Sequence, residues 1–309
     1  MQENNVTFLN EFFLLGFQVN QNSRIFLFFL LFLIYWVTIC GNLLIIILVS
    51  TSKNLHTPMY FFISQLSICD ILLPTDIAPY MFYVLLNNGA TITFFCCIAQ
   101  LYFFCTVETF ECLLLTVMSY DRYVAICNPL HYVSIMTSSL CANFVILFWF
   151  LCFFIAFIDT LSASRLKFCG PNIIDHFFCD LVPLQDIACS DTFPFKLQTY
   201  FLSFPLLVVP ILIIVISYGN IVRAVLQIQS NISRHKAFST CSSHLIVVSI
   251  FYLTLFSVYI LPTNEQTSEI NKIMSLLYTV YTPLINPIIY SFRNKDIKKA
   301  VQETLQKYL

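Results

Sequence analysis

The sequence predicts an all-α membrane protein: a bundle of seven transmembrane helices followed by a short amphipathic helix. Three observations carry that expectation. Of the 309 residues 59% are hydrophobic and only 10% charged, against about 25% charged in a soluble domain, whose surface must meet water. The charges leave long gaps, and about 20 apolar residues rising ~1.5 Å each cross the ~30 Å hydrocarbon core. Lys and Arg also gather on alternate sides of those gaps, as cytoplasmic loops do. With a net charge of −1, the chain is excluded as a soluble enzyme, a disordered chain or a basic nucleic-acid binder.

Each element follows in order. Residues 1–24 are mostly polar, show no cleavable leader pattern, and contain a glycosylation acceptor, Asn5-Val6-Thr7. The first span, about 25–49, is the charge-free run between Arg24 and Lys53. Pro58 to Ile126 is too long for one span and breaks at the turn signal Leu86-Asn87-Asn88-Gly89, which gives spans at about 58–85 and 93–126. Charge-poor runs place the others at about 140–160, 196–225, 237–261 and 270–292. Loops are short except for one of 35 or so residues between Asp159 and Phe195. In 294–309, Ile297, Val301, Leu305 and Leu309 recur every four residues among Lys298, Lys299 and Lys307, the pattern of a helix lying on the inner leaflet. With the N-terminus outside, ten Lys and Arg fall on the inner side and five on the outer. The expected organisation is therefore one seven-span domain over 1–309, N-terminus extracellular and C-terminus cytoplasmic, in the plasma membrane.

The thirteen cysteines sort by place. Those inside spans read as small packing residues. Cys169, Cys179 and Cys189 lie in the long outer loop, in an oxidising compartment. Three is odd, so one needs a partner elsewhere, and Cys96 or Cys97 at the outer end of the third span is available; two bridges are expected. Ionisable groups within lipid are functional by default: Asp70 and Asp76 in the second span, Glu108 and Glu111 on one face of the third. Ser119-Tyr120-Asp121-Arg122-Tyr123-Val124-Ala125-Ile126-Cys127 closes the third span. Arg122 is always charged, and Asp121 stands beside it to neutralise it.

At these residues the chain resembles the rhodopsin-like G-protein-coupled receptors, and within them the vertebrate olfactory receptors, nearer the tetrapod type. The resemblance runs over nearly the whole length. It rests on Gly41-Asn42, on Leu55-His56-Thr57-Pro58-Met59-Tyr60-Phe61-Phe62, on Leu66-Ser67 with Asp70, and on Ser119 to Cys127, where Ser119 replaces the more usual Ala. Ser217-Tyr218 follows, then Lys236-Ala237-Phe238-Ser239-Thr240-Cys241-Ser242-Ser243-His244-Leu245 and Pro283-Leu284-Ile285-Asn286-Pro287-Ile288-Ile289-Tyr290. The stretches at Leu55 and Lys236 are the most specific.

The resemblance implies disulfides Cys97 to Cys179 and Cys169 to Cys189. It implies a coupling and activation set of Asp121, Arg122, Tyr123, Tyr218, Lys236, His244, Asn286, Pro287 and Tyr290. Tyr218 and Tyr290 would cap the guanidinium when Asp121 lets it go. Asp70 with Glu111 resembles a buried sodium or proton site, and no other cofactor is implied. The ligand positions implied on the third span are Leu101, Phe104, Cys105, Glu108 and Thr109. The fifth span gives Leu202, Ser203 and Leu206; the sixth Tyr252, Leu255, Phe256 and Tyr259; the seventh Leu276 and Thr279. That lining is mostly apolar and suits a small volatile held by shape. Glu108 departs from the family, which more often has a small residue there. It either bonds a neighbour such as Ser203 or Tyr252, donates to a neutral ligand, or pairs with an amine.

The function implied is odorant detection coupled to a stimulatory, olfactory-type heterotrimeric G protein, raising cyclic AMP. The partners are then a small volatile odorant, that G protein and membrane lipid, with no nucleic acid. A chemoreceptor for a non-odorant small molecule in another tissue is the alternative. A transporter lacks its internal repeats here. A membrane enzyme lacks its zinc cluster, nucleophile elbow or phosphate-binding loop, and 5 Gly residues make the last hard to build.

Overall fold

The computed structural model describes residues 10–169, 171–227, 229–260, 268–293 and 295–308. A short strand, β1 (Glu11–Leu14), precedes α1 (Gln21–Thr51) and α2 (Pro58–Asn87). Strand β2 (Ala90–Thr93) leads into α3 (Phe94–Cys127), followed by the one-turn α4 (Tyr132–Ile135) and α5 (Ser138–Ala163). The long loop holds β3 (Ile173–Ile174) and α6 (Leu181–Asp186). Then come α7 (Phe193–Gln227), α8 (Asn231–Ile260), α9 (Ser268–Leu276), a π-helical turn at Leu277–Tyr281, α10 (Thr282–Arg293) and α11 (Lys295–Tyr308). Seven of these, counting α9 to α10 as one, are long and apolar enough to cross a membrane.

Local chemistry sets the boundaries. Asn20 accepts the Ser23 N–H at 2.9 Å to open α1, and Thr93 and Thr137 cap α3 and α5 in the same way. Pro58 occupies the first turn of α2. That helix ends where expected: Asn88 (φ 57°) and Gly89 (φ 107°) both turn left-handed, and a Cβ on Gly89 would strike the Phe13 ring. Several helices outrun the expected spans. Arg24 lies in the first turn of α1, and α7 starts at Phe193 and runs to Gln227, past both ends of the expected 196–225. Gaps between charges stop at the charge, whereas a helix runs on and lets long basic side chains reach toward water.

α3 is the most buried span and α7 the least; α3 packs against α2, α5, α7 and α8. Phe26, Phe29, Leu33 and Trp36 are exposed along one face of α1, an apolar row that suits lipid. The N-terminal segment is not merely a polar tail. β1 is the middle strand of a three-stranded sheet, antiparallel to β2 and parallel to β3. Alternation turns Phe12 and Leu14 inward, fully buried, at ~1.5–3 kcal/mol each. This sheet and the long loop cover one end of the bundle, the lidded end. Arg122 stands at the other. α11 docks there, with Ile297 and Ala300 buried and Tyr60 donating to Asp296 at 3.0 Å.

Candidate functional site

The lid is fastened by the two expected disulfides, Cys97 to Cys179 and Cys169 to Cys189, with Cα atoms 5.5 and 5.8 Å apart. Cys96 is a free, exposed thiol. Gln100, nearly two turns into α3, was not foreseen. Its carbonyl accepts the Cys179 N–H at 3.0 Å and its amide donates to the Asp76 carbonyl at 3.1 Å, joining loop, α3 and α2. The loop then enters the bundle: Phe178 meets the Phe104 ring edge-on at 5.1 Å, and His176 stacks on Phe177 at 4.7 Å.

Lys272 of α9 is the second clamp, and its role was also missed; by sequence it is only one of five Lys and Arg expected on the outer side. Its side chain is 1% exposed. Its ammonium pairs with Asp175 at 2.5 Å and Glu269 at 2.7 Å and donates to the Gly16 carbonyl at 3.2 Å. Ser268 donates to Asp175 as well. Gly16 needs its φ of 65° and has no room for a Cβ beside Val84; its N–H donates to the His176 carbonyl at 3.1 Å. One lysine thus ties the N-terminal segment, the loop and α9. Burial, reinforced by Lys272, pushes the His176 imidazole down to about 3, and its Nε2 lies 3.3 Å from the Ser275 hydroxyl. Burial alone would raise Asp175, but hydrogen bonds from Lys272 and Ser268 hold its carboxyl below the ordinary range.

The implied ligand positions are distributed unevenly. On α3, Leu101, Phe104 and Glu108 are buried and Cys105 and Thr109 half-buried. Leu202, Ser203 and Leu206 of α7 are half-buried. Tyr252 of α8 donates to the Cys112 carbonyl of α3 at 3.4 Å, and Leu255 is buried. Phe256 is 56% exposed on the bundle's outer surface, one residue round the helix from Leu255, and faces away from the interior. Leu276 and Thr279 are buried, the Thr279 hydroxyl donating to the Ser275 carbonyl at 2.7 Å. Cys105 lies within electrostatic reach of Glu108, Asp180, Asp159 and Asp76, so acids from α3, the loop, α5 and α2 converge here.

A cavity of about 360 Å³ opens above, between the loop and the lidded ends of α8 and α9. Its polar wall is Asp175, His176, Asp180, Asp186, Asn271 and Ser275; Ile173, Val182, Pro183, Ile187 and Val258 form much of the rest. None of the implied ligand positions lines it. Asn5 and the side chains of Lys236 and Tyr259 lie outside the described residues.

At the opposite end, Arg122 meets the buried Asp121 through Nη2 at 2.8 Å and Nε at 3.2 Å, and Tyr132 of α4 donates to the other Asp121 oxygen at 2.8 Å. Burial and then the Asp121 charge hold the Tyr132 hydroxyl above the usual phenol range. Tyr123 is half-buried. Tyr218 of α7 bonds His244 Nδ1 of α8 at 2.6 Å, so here it is engaged by the sixth span rather than by Arg122. Tyr290 is buried, its hydroxyl without a hydrogen-bond partner. Deeper in the bundle, Asn286 donates to both Asp70 oxygens at 2.9 and 3.1 Å, and Glu111 Oε1 has no hydrogen-bond partner. Asn42 donates to the Pro283 carbonyl at 3.1 Å, and Gly41 lets α1 approach Pro287. Oxygen donors of this kind suit a proton or sodium rather than a transition metal. Among the described residues no group of three or more His, Cys, Asp or Glu stands together to hold a metal ion.

The fold is that of squid rhodopsin, with a TM-score of 0.72 over 95% of this chain and 88% of that one at 18% identity. Full-length relatives are nearer. Olfactory receptor-like protein I9 of Rattus norvegicus is 44% identical over 99% of this chain and 98% of its own length. Olfactory receptor 5G9 of Mus musculus is 44% identical over the same shares. Olfactory receptor 11L1 of Homo sapiens is 43% identical over 99% and 95%. The family model described as olfactory receptor matches residues 31–308. With its seven apolar helices, stapled loop and Asp121–Arg122 pair, the chain belongs to the olfactory receptor family, membrane receptors of the G-protein-coupled class and not enzymes.

Proposed function

We propose that this receptor takes a small, mostly apolar volatile at its lidded end and signals at its Arg122 end to a stimulatory, olfactory-type G protein, raising cyclic AMP. The observation that carries the reading is the separation of two chemistries. A cavity and a set of buried side chains lie under the lid, and a permanently charged guanidinium, neutralised by Asp121, waits at the other end. Opening the bundle there, by parting Tyr218 from His244, exposes a recess for a partner's helix and frees Arg122. Lys and Arg bias supports an outside N-terminus and an inside C-terminus, with Asn5 glycosylated and α11 on the inner leaflet. Two carboxyls in a dry interior repel, so Asp70 and Glu111 share a proton or a sodium ion between them.

Arg122→Ala tests the coupling. The variant should reach the cell surface in measurable amount while agonist-driven cyclic AMP disappears; normal signalling from it would overturn the reading.

A further inference from the structure

At the Arg122 end a second cavity, of about 440 Å³, lies between the last turns of α1, the loop after it, the first three turns of α2 and the start of α5. No residue of α3, α7, α8 or α10 lines it, which places it on the outer face of the bundle. Its α2 wall is one stripe, Pro58, Phe61, Gln65 and Ile68, spaced three or four residues apart. Those ten residues rise ~15 Å, the depth of one leaflet's hydrocarbon. Ile46 and Val49 of α1 complete the wall, and like Phe61 and Ile68 they are only half-buried. The foot of the groove is polar: His56 and Thr57 of the loop and Ser138 of α5 are exposed there, and Thr57 makes no side-chain capping bond. The charge around that foot has one sign. None of the lining residues is Asp or Glu, Lys53 is exposed three residues before His56, and the sequence has no acid from Phe12 to Cys69 or from Arg122 to Ile158. Asp296 of α11 accepts from Tyr60, which does not line the cavity. Neither α2 nor α5 has an acid in its first turn, so the positive ends of both helices reinforce the sign.

We propose that this groove holds one anionic glycerophospholipid, its phosphate at Lys53, His56 and Ser138 and one acyl chain along Phe61 and Ile68. Such a lipid supplies both chemistries the groove presents, a negative head for the foot and hydrocarbon for the wall. A zwitterionic lipid brings a cation of its own to a foot that has no acid for it, and a sterol brings a hydroxyl but no charge for Lys53. Side chains on a helix lean toward its N-terminus, so Gln65, seven residues and ~10 Å above Pro58, reaches down toward the ester carbonyls with an amide that can donate to one. The foot is ordered beforehand: Leu55 of the same loop is fully buried, and the His56 N–H donates to the Lys53 carbonyl at 3.2 Å, so binding has little loop freedom to remove. The orientation proposed above makes this the inner leaflet, where anionic lipids gather; the groove itself does not depend on that orientation.

The test is native mass spectrometry of the purified full-length receptor released from micelles doped with dioleoyl phosphatidylserine or dioleoyl phosphatidylcholine. One serine lipid should be retained saturably, at a concentration at least tenfold below that of the choline lipid, and glycerophosphoserine without tails should not compete. Lys53→Glu and Ser138→Glu, both at exposed positions, should each weaken the serine lipid at least tenfold and leave the choline lipid unchanged, their thermal midpoints reporting that they fold. Lys299→Glu, exposed on α11 at the same end, should leave the serine lipid within twofold. Equal retention of the two lipids, unchanged affinity in either groove variant, or the same loss in the α11 variant, which would mean diffuse surface charge, would overturn the proposal. Full displacement of the serine lipid by an equal concentration of cholesterol would give the groove to a sterol and overturn it as well. None of these readings passes through cyclic AMP, so the groove and the coupling to a G protein stand or fall separately.

Discussion

The two ends of the bundle are held together by different means. At the lidded end the fastenings join residues far apart in the chain: Cys97 to Cys179 over 82 positions, Lys272 to Gly16 over 256. The first is covalent and the second a hydrogen bond from a buried ammonium that also pairs with Asp175 and Glu269. At the Arg122 end the ion pair is between neighbours, Asp121 and Arg122. Between α7 and α8 the links are hydrogen bonds of the Tyr218 hydroxyl, shared with His244 Nδ1 and donated to the Cys241 carbonyl at 3.4 Å. α2 and α11 are sewn at this end by Tyr60 to Asp296, and α1 and α10 deeper in the bundle by Asn42 to Pro283, but α8 is not included in those bonds. A hydrogen bond contributes about 1 kcal/mol net and a disulfide of this span about 4. The lidded end is therefore built to keep its shape and the other to change it.

The largest expected effect tests the stiff end. Cys97→Ser removes the bridge and should cost ~2–5 kcal/mol; flow cytometry of surface receptor should find it close to background. Near-normal surface levels would mean that the sheet and Lys272 hold the lid without the disulfide.

A smaller effect concerns acid. The folded His176 protonates only near about 3, whereas an unfolded histidine does so near 6.5. Below that upper value the unfolded state binds a proton the folded state refuses, so stability is full above pH 6.5 and falls as pH drops toward 3. At pH 5 the loss is about 2 kcal/mol. His176→Gln should flatten the fall in thermal midpoint between pH 7 and pH 5; equal slopes would show that the lid does not feel this proton.

The smallest effect belongs to the yielding end. Tyr218→Phe removes about 1 kcal/mol of hydrogen bonding from the resting arrangement, so ligand-free cyclic AMP should rise about fivefold. Unchanged or reduced basal signal would mean that His244 does not latch the sixth span.

Much of this comparison was legible from residues alone. Gaps between charges located the spans, and Leu86 to Gly89 located the turn, because lipid and left-handed backbone each admit few residue types. The resemblance named Arg122, whose Nη2 lies 2.8 Å from Asp121. What escaped was partnership at a distance. Nothing in the local pattern around Lys272 names Gly16 or Asp175, and a four-residue strand is too short for Phe12 and Leu14 to register as alternation. Phe256 shows the converse limit: an aromatic in the expected register sits a fraction of a turn too far round its helix. Gln100 looks like any polar residue near a span's end until the loop folds onto it.

Because β1 is the middle strand of its sheet, it imposes an order on synthesis. Leu14 pairs with Ile174, so some 160 residues must be made after the strand before its second neighbour exists. At a translation rate of ~5–20 residues per second that wait is roughly 8–30 s. Throughout it the strand's open edge is available to any other extended chain nearby. The strand made first is among the last to be fastened, and a receptor stalled before its long loop is complete carries its lid half-woven.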